Sequence, residues 1–330
     1  TQHINSPDEP NQRALSRRGF LAGASGLASA GTLAACASDG RPGGDSAPAG
    51  PPRDSNDGAG PLQQEYVEFD GPHQAGIETP TQASLNLVGF DLKQSVDKAG
   101  LNRLMRLWTE DARELSAGRT PLGSIEPEMN AWPANLTFTV GFGERVFEIA
   151  APTQKPEWLR SIPAMDKDAL LSQWGQSDLV LQICSDDPVM CAWAMRHMTR
   201  AAKDYVDTVW VQQGFMNAFG SIHKGQTPRN LFGQLDGTVN PHKPEEYAEQ
   251  VWIDGPAGFV GSTSMVVRRI AMNLDEWELL DRRSREEAVG RTLADGAPLT
   301  GGGEFSEPDL SAVDEYGLPV IDRNSHMARA

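Results

Sequence analysis

Residues 232–241 read FGQLDGTVNP, and this is the most informative stretch of the chain. It places one carboxylate, Asp236, in a tight turn between Gly233 and Gly237, within an otherwise apolar segment. Glycine permits a positive φ and a close approach of the backbone to a flat ligand, and Thr238 and Asn240 are predicted to hydrogen-bond the turn from within. A lone Asp-Gly pair indicates only a hairpin turn. In this longer context, the arrangement favours a proton-handling acid placed over a cofactor.

Further segments extend this pattern in both directions along the chain. The GxxDG core of residues 232–241 resembles the signature of the dye-decolorizing (DyP-type) heme peroxidases, and the other segments match that family in the same order. The resemblance covers residues 65–330 and points to the twin-arginine-exported, deferrochelatase/peroxidase-like subgroup. The other matching segments are GPHQAGIETPTQ (71–82), LTFTVGFG (136–143), DLVLQICSDD (178–187), MVVRRIAMN (265–273), VGRT (289–292) and GGEFSEPDL (302–310).

Size and charge limit the function classes. Residues 65–330 are enough for one large or two small domains with a substantial core. The formal net charge is −16 at pH 7, and the sequence contains no long basic run. Because binding to phosphate backbones relies on clustered Lys and Arg, the composition argues against nucleic acid as a partner.

Residues 1–36 form a targeting segment and stand outside the fold argument. Within them, SRRGF (16–20) resembles a twin-arginine export signal, and a weakly apolar run follows at 20–35. As a helix this run would reach about 24 Å, whereas the hydrocarbon core of a bilayer is about 30 Å thick, so a permanent membrane span is not expected. Export predicts a location in the cell envelope or outside the cell. The alternative is an incidental arginine pair before a flexible tail.

The end of the targeting segment predicts a lipid anchor. Residues 33–36 read LAAC and match a lipoprotein cleavage box, in which Cys36 would become the lipidated N-terminus. The alternative is an ordinary small-residue cleavage site that happens to end at cysteine. Residues 37–64 are rich in Gly, Pro, Ser and Asp, so we predict a disordered linker there.

Hydrophobic periodicity predicts an α+β unit over residues 65–225. Alternating or continuous apolar runs indicate strands, and recurrences at helical spacing indicate a helix after the first strand and another after the third. The order strand, helix, strand, strand, helix, strand is that of a ferredoxin-like unit. The predicted strands are 83–92, 136–141, 179–184 and 209–215, and the predicted helices are 101–118 and 187–202.

Residues 226–330 begin to repeat this order, with a strand predicted at 263–273 and a helix at 275–290. The resemblance implies two ferredoxin-like units packed sheet to sheet, with heme bound in the second. We expect that second, heme-binding unit to be C-terminally incomplete in this chain. Cys184 and Cys191 are too few for a disulfide framework, and plain packing is the predicted role of both.

The resemblance also implies the chemistry of the site, with heme b as the cofactor. His326 falls where the family has its proximal iron ligand, and Asp236 falls where it has its distal acid/base. The alternatives are a surface histidine for His326 and a turn-capping carboxylate for Asp236. The family's distal arginine is expected to lie beyond residue 330.

Two further contacts to heme are implied by the resemblance. The backbone of Gly237, Thr238 and Val239 is expected to pass along the ring. Arg291, in the VGRT turn, is the candidate partner of the heme propionates. The alternative for Arg291 is an exposed arginine at a helix C-terminus that interacts with the helix dipole.

Three functions follow as hypotheses. The first is an exported peroxidase that uses hydrogen peroxide to oxidise small phenolic or dye-like donors through a ferryl intermediate. The second keeps the heme site but releases iron from heme, as a deferrochelatase working with components of an iron-uptake system. The third is a heme-free binding protein of the cell envelope.

Overall fold

A four-stranded antiparallel sheet organises the N-terminal half of the chain. The computed structural model describes residues 65–223 and 225–329, which lie within one compact unit, Asn56–Ala330. The twin-arginine motif, Cys36 and the linker at 37–64 lie outside the described residues.

The strand order of this sheet is β2-β3-β1-β4, and every neighbouring pair is antiparallel. This is the order in which a strand, helix, strand, strand, helix, strand sequence forms a ferredoxin-like sheet. The predicted α+β fold class is therefore confirmed. The strands are β1 (Ser84–Leu92), β2 (Thr137–Phe142), β3 (Leu179–Ser185) and β4 (Val206–Phe215).

Two long helices, α1 (Lys98–Ser116) and α3 (Pro188–Ala202), pack against each other and against the sheet. α1 begins after Asp97, whose carboxylate accepts a hydrogen bond from the Gly100 N–H at 2.7 Å. α3 begins after Asp187 in the same way, with proline in its first turn. A short helix, α2 (Glu144–Ala150), follows β2.

The hydrophobic core lies between this helical layer and the sheet. Burial alternates along β3, as expected when one face of a strand packs on a helical layer. Trp108 of α1 is fully buried, packs on Phe90 of β1, and donates its indole N–H to the Met198 carbonyl oxygen of α3 at 3.1 Å. The other large side chains that are fully buried here are Leu104, Leu115, Leu136, Leu179, Leu181, Ile183, Met190 and Val88.

The two described cysteines have the predicted packing role. Cys191 is buried on α3, where its thiol accepts a hydrogen bond from the Asn86 side-chain amide at 3.2 Å and donates one to the Ile183 carbonyl at 3.3 Å. Burial raises the pKa of Cys191 to about 11 and that of Cys184 to about 12. Both thiols therefore stay protonated at neutral pH.

The C-terminal half is built from short helices and turns. Among residues 225–329, strand-like pairing is limited to isolated bridges, and no described helix is long and apolar enough to cross a bilayer. The helices are α4 (Pro244–Gln250), α5 (Leu274–Leu279), α6 (Arg282–Val289) and α7 (His326–Arg329).

Two predictions for this half are wrong in detail. Residues 263–273 form no strand, because the described C-terminal residues provide no second strand to accept and donate ladder hydrogen bonds. The helix predicted at 275–290 is two helices, since Leu280 is extended and Asp281 then caps α6 by accepting from the Ser284 N–H at 2.9 Å. Gly290, with φ of 94°, ends α6 in the left-handed conformation.

Candidate active site

The FGQLDG segment forms the turn and the second arm of a small hairpin, and residues 228–230 form the first arm. Arg229 and Leu235 make an isolated antiparallel bridge, and the Asn230 N–H donates to the Gln234 carbonyl at 3.0 Å. Gly233 turns the chain with φ of 82°, and its N–H donates back to the Asn230 carbonyl at 2.9 Å. The positive φ predicted at this glycine is confirmed, and it brings the end of the motif back beside residues 228–230.

Asp236 lies at the exposed end of this hairpin. Its N–H donates to the Pro228 carbonyl at 2.9 Å, and its carboxylate accepts a hydrogen bond from the Asn230 side-chain amide at 3.2 Å. Asn230 is itself fixed, because its side-chain oxygen accepts from the Phe232 N–H at 2.9 Å. The arrangement presents an oriented carboxylate to the outside of the hairpin, where it can accept and return a proton.

Arg229 fastens the hairpin to the loop that follows α6. Its guanidinium donates to three carbonyl oxygens, those of Gly233 at 2.8 Å, Leu293 at 2.7 Å and Ala294 at 3.0 Å. One side chain therefore joins the hairpin turn to a segment more than sixty residues further along the chain.

Two further contacts hold the hairpin from other sides. Leu235 packs on Gly296, where an added Cβ would lie 2.8 Å from the Leu235 Cδ1 atom. Trp277 of α5 donates its indole N–H to the Phe232 carbonyl at 3.0 Å, and the two rings lie 4.7 Å apart. Two separate segments thus contact the motif, one at Phe232 and one at Leu235.

The residues after Asp236 connect to the GGEF segment. Gly237 has φ of 112°, and the Thr238 hydroxyl donates to the Glu304 carboxylate at 3.1 Å instead of bonding the turn from within, as the sequence had suggested. Arg291 donates through Nη1 to the carbonyl oxygens of Gly296 at 2.6 Å and of Glu304 at 2.7 Å. Thr238 and Arg291 therefore both donate hydrogen bonds to Glu304, one to its side chain and one to its backbone.

His326 opens α7 and is exposed. Its imidazole makes no hydrogen bond within the described residues, which leaves both ring nitrogens available. α7 lies against the end of α6, since a Cβ added at Gly290 would lie 3.1 Å from Met327 and 3.4 Å from Ser325. Met327, the residue after His326, therefore contacts Gly290, and the next residue, Arg291, is linked through Glu304 to Thr238 in the Asp236 turn. His326 and Asp236 themselves share no hydrogen bond.

Apolar side chains are exposed along this part of the chain. Leu231, Val239 and Phe305 are 60%, 86% and 70% exposed, one on the hairpin, one after Asp236 and one after Glu304. Among the described residues, no group of three or more His, Cys, Asp or Glu side chains could hold a bare metal ion. Exposed apolar surface is typical of a binding site for an apolar partner or ligand, and an imidazole nitrogen is a common ligand of heme iron.

Sequence reasoning missed three residues of this network, namely Arg229, Asn230 and Glu304. Arg229 and Asn230 lie in the PRN run just before the motif, and this proximity was the only available signal. His73, in the GPHQAGI segment, has a packing role, because its ring stacks on Trp252 at 3.6 Å and its Nδ1 lies 2.8 Å from the Gly261 carbonyl.

The chain is thus an α+β protein in which a ferredoxin-like unit is joined to a half that presents an exposed turn carboxylate and an imidazole with no hydrogen bond among the described residues. A family model described as Dyp-type peroxidase, N-terminal, matches residues 74–216, and one described as Dyp-type peroxidase, C-terminal, matches residues 227–330. The chain belongs to the Dyp-type peroxidase family.

Relatives of known name agree with this membership. The chain is 33% identical to a dye-decolorizing peroxidase of Thermobifida fusca, over 99% of this chain and 80% of that protein. It is 31% identical to a deferrochelatase of Escherichia coli, over 81% of this chain and 67% of that protein.

Solved structures show the same fold. A DyP-type peroxidase from Cellulomonas bogoriensis is 45% identical, with a TM-score of 0.77, over 82% of this chain and 76% of that one. DtpA from Streptomyces lividans, determined as an oxyferrous complex, is 37% identical, with a TM-score of 0.75, over 81% and 74%. The protein is accordingly a heme-dependent oxidoreductase that acts on peroxide.

The contact between Leu235 and Gly296 yields a stability prediction. Gly296 has φ of 69°, so Gly296→Ala should cost about 1–2 kcal/mol for the left-handed backbone and a further 1–3 kcal/mol for overpacking against Leu235. Gly317→Ala is the matched control, because Gly317 has φ of 79° and no atom within 4 Å of its added Cβ. Denaturant unfolding measures both variants, and equal losses of unfolding free energy would contradict the importance of the Leu235 contact.

Proposed function

We propose that the protein reduces hydrogen peroxide at heme b and oxidises small phenolic or dye-like donors, with Asp236 as the distal acid/base and His326 as the proximal ligand. The observation that carries this proposal is the Asp236 carboxylate, which is exposed yet held by Asn230 and by the backbone of Pro228. Membership of the Dyp-type peroxidase family supplies the reaction class.

Asp236 carries the proton in this mechanism. Its carboxylate would take a proton from one oxygen of hydrogen peroxide and return it to the other oxygen, which leaves as water, and this is general acid–base catalysis. When bound, heme supplies the two electrons that cleavage of the peroxide bond requires, and two donor molecules each return one electron. The Asn230 amide, 3.2 Å from the carboxylate, keeps one carboxylate oxygen engaged and leaves the other for the substrate.

The remaining residues bind the cofactor. His326 would provide one ring nitrogen to the heme iron, and the backbone at Gly237, Thr238 and Val239 would contact the ring. Arg291 uses Nη1 for two carbonyl groups, and its other guanidinium nitrogens make no hydrogen bond within the described residues. Those nitrogens are suited to a heme propionate, because hydrogen bonds between a guanidinium and a carboxylate are charge-assisted.

The decisive variant is Asp236→Asn, which keeps the size of the side chain and an oxygen for the Asn230 amide. We expect heme to remain bound, with an unchanged Soret band, while the rate of reaction with peroxide falls by about 10²- to 10⁴-fold. Stopped-flow absorbance measures that rate directly.

His326→Ala should instead lose heme and recover it on addition of imidazole, whereas His242→Ala, at an exposed histidine of the same half, should retain heme.

Each assignment has its own contrary outcome. A wild-type rate in Asp236→Asn would remove this carboxylate from the proton transfer. Full heme binding in His326→Ala without imidazole would show that another residue ligates the iron.

Iron release from heme is the second candidate function, and the deferrochelatase relatives favour it. In that reaction Asp236 would deliver protons to the ring nitrogens as the iron leaves. Holoprotein incubated with an iron chelator, without peroxide, tests it through the fluorescence of free protoporphyrin. We expect peroxide-dependent donor oxidation and no fluorescence, and fluorescence that is lost in Asp236→Asn would instead support deferrochelation.

We further propose export by the twin-arginine route to the cell envelope, with Cys36 as a lipid anchor. The proposal is supported by SRRGF at 16–20 and LAAC at 33–36, all outside the described residues. Replacing Arg17 and Arg18 by Lys should leave the protein in the cytoplasmic fraction, and Cys36→Ser should release it from membranes. An unchanged distribution in both variants would contradict the proposal.

A further inference from the structure

We infer that Arg229 is a positioning residue for Asp236, fixing the direction of the carboxylate without contacting substrate. The inference rests on the proposed role of Asp236. The segment from Pro228 to Asn230 supplies both hydrogen bonds to Asp236, one from the backbone at 2.9 Å and one from the side chain at 3.2 Å. Any movement of that segment therefore moves the carboxylate.

Arg229 is the central residue of that segment, and its side chain attaches the segment to the loop that follows α6. Two of its three hydrogen bonds go to the Leu293 and Ala294 carbonyls, beyond the hairpin, and the third goes to Gly233 at the hairpin turn. A planar guanidinium can serve several carbonyl oxygens in one fixed geometry, whereas a lysine ammonium on a flexible stem is less constrained. These contacts therefore require arginine, which fixes the orientation of the Pro228–Asn230 segment as well as its distance from residues 293 and 294.

The loop at the far end of this anchor is itself held in place. The Leu293 N–H donates to the Glu286 carboxylate of α6 at 2.8 Å, and the Thr292 N–H donates to the Ala297 carbonyl at 2.9 Å. Arg229 thus ties the Asp236 segment to a loop with its own hydrogen bonds. Because Asp236 is exposed, few packing contacts are available to orient its carboxylate.

The test compares Arg229→Lys with the wild-type holoprotein. We expect the Soret band and the heme dissociation constant to stay unchanged, while the rate of reaction with peroxide falls about 10- to 100-fold, the loss expected when a catalytic group is misplaced by about 1 Å. Arg145→Lys is the matched control. Arg145 also bonds a backbone carbonyl, that of Leu92 at 2.5 Å, but it lies in the N-terminal half and should leave the peroxide rate unchanged.

Two further measurements separate positioning from general stability. Arg229→Ala should regain much of its peroxide rate when guanidinium chloride is added well below its denaturing range, and methylammonium should not restore it. In the Asp236→Asn background, Arg229→Lys should cause no additional loss, because the two residues act through one carboxylate.

The outcomes distinguish the inference from the function on which it rests. A wild-type peroxide rate in Asp236→Asn overturns the proposed role of Asp236. A large loss in Asp236→Asn together with a wild-type rate in Arg229→Lys overturns the inference alone. If Arg229→Lys loses heme along with peroxide reactivity, Arg229 supports the fold as a whole and the inference is also wrong.

Discussion

Hydrogen bonds from arginine side chains to backbone carbonyl groups hold the candidate site together. Arg229 bonds the carbonyls of Leu293 and Ala294, and Arg291 bonds those of Gly296 and Glu304. In a sheet the neighbouring strand provides the donors for backbone carbonyl groups. Among residues 225–329 strand pairing is limited to isolated bridges, so long side chains provide donors instead. The geometry of the site consequently depends on a few guanidinium groups.

The N-terminal half was predictable because its signals are local and agree with one another. Asp187 followed by Pro188 marks the start of α3, and the apolar run at 179–184 indicates β3 directly from the order of its residues. The C-terminal half was less predictable for two physical reasons. A strand pattern such as 263–273 does not carry its own pairing partner, and the cap at Asp281 overrode a helical periodicity that continued through it.

The same distinction separates the site residues that the sequence indicated from those it did not. The turn of the Asp236 motif is encoded by Gly233 and Gly237, whose φ values of 82° and 112° match what glycine uniquely permits. Arg229 and Glu304 make their contacts across more than sixty residues of sequence. No local pattern specifies such partners, because a guanidinium or a carboxylate can bond whichever group the fold places beside it.

Exposure of the Asp236 carboxylate explains why these distant contacts matter. A buried side chain is oriented by close packing, but an exposed carboxylate has few packing contacts. Orientation then passes to hydrogen bonds, first to Asn230 and through the backbone to Arg229. Each of these bonds is directional, so the site combines an accessible carboxylate with a defined orientation. The polar residues just before the glycine motif are therefore as much a part of the site as the motif itself.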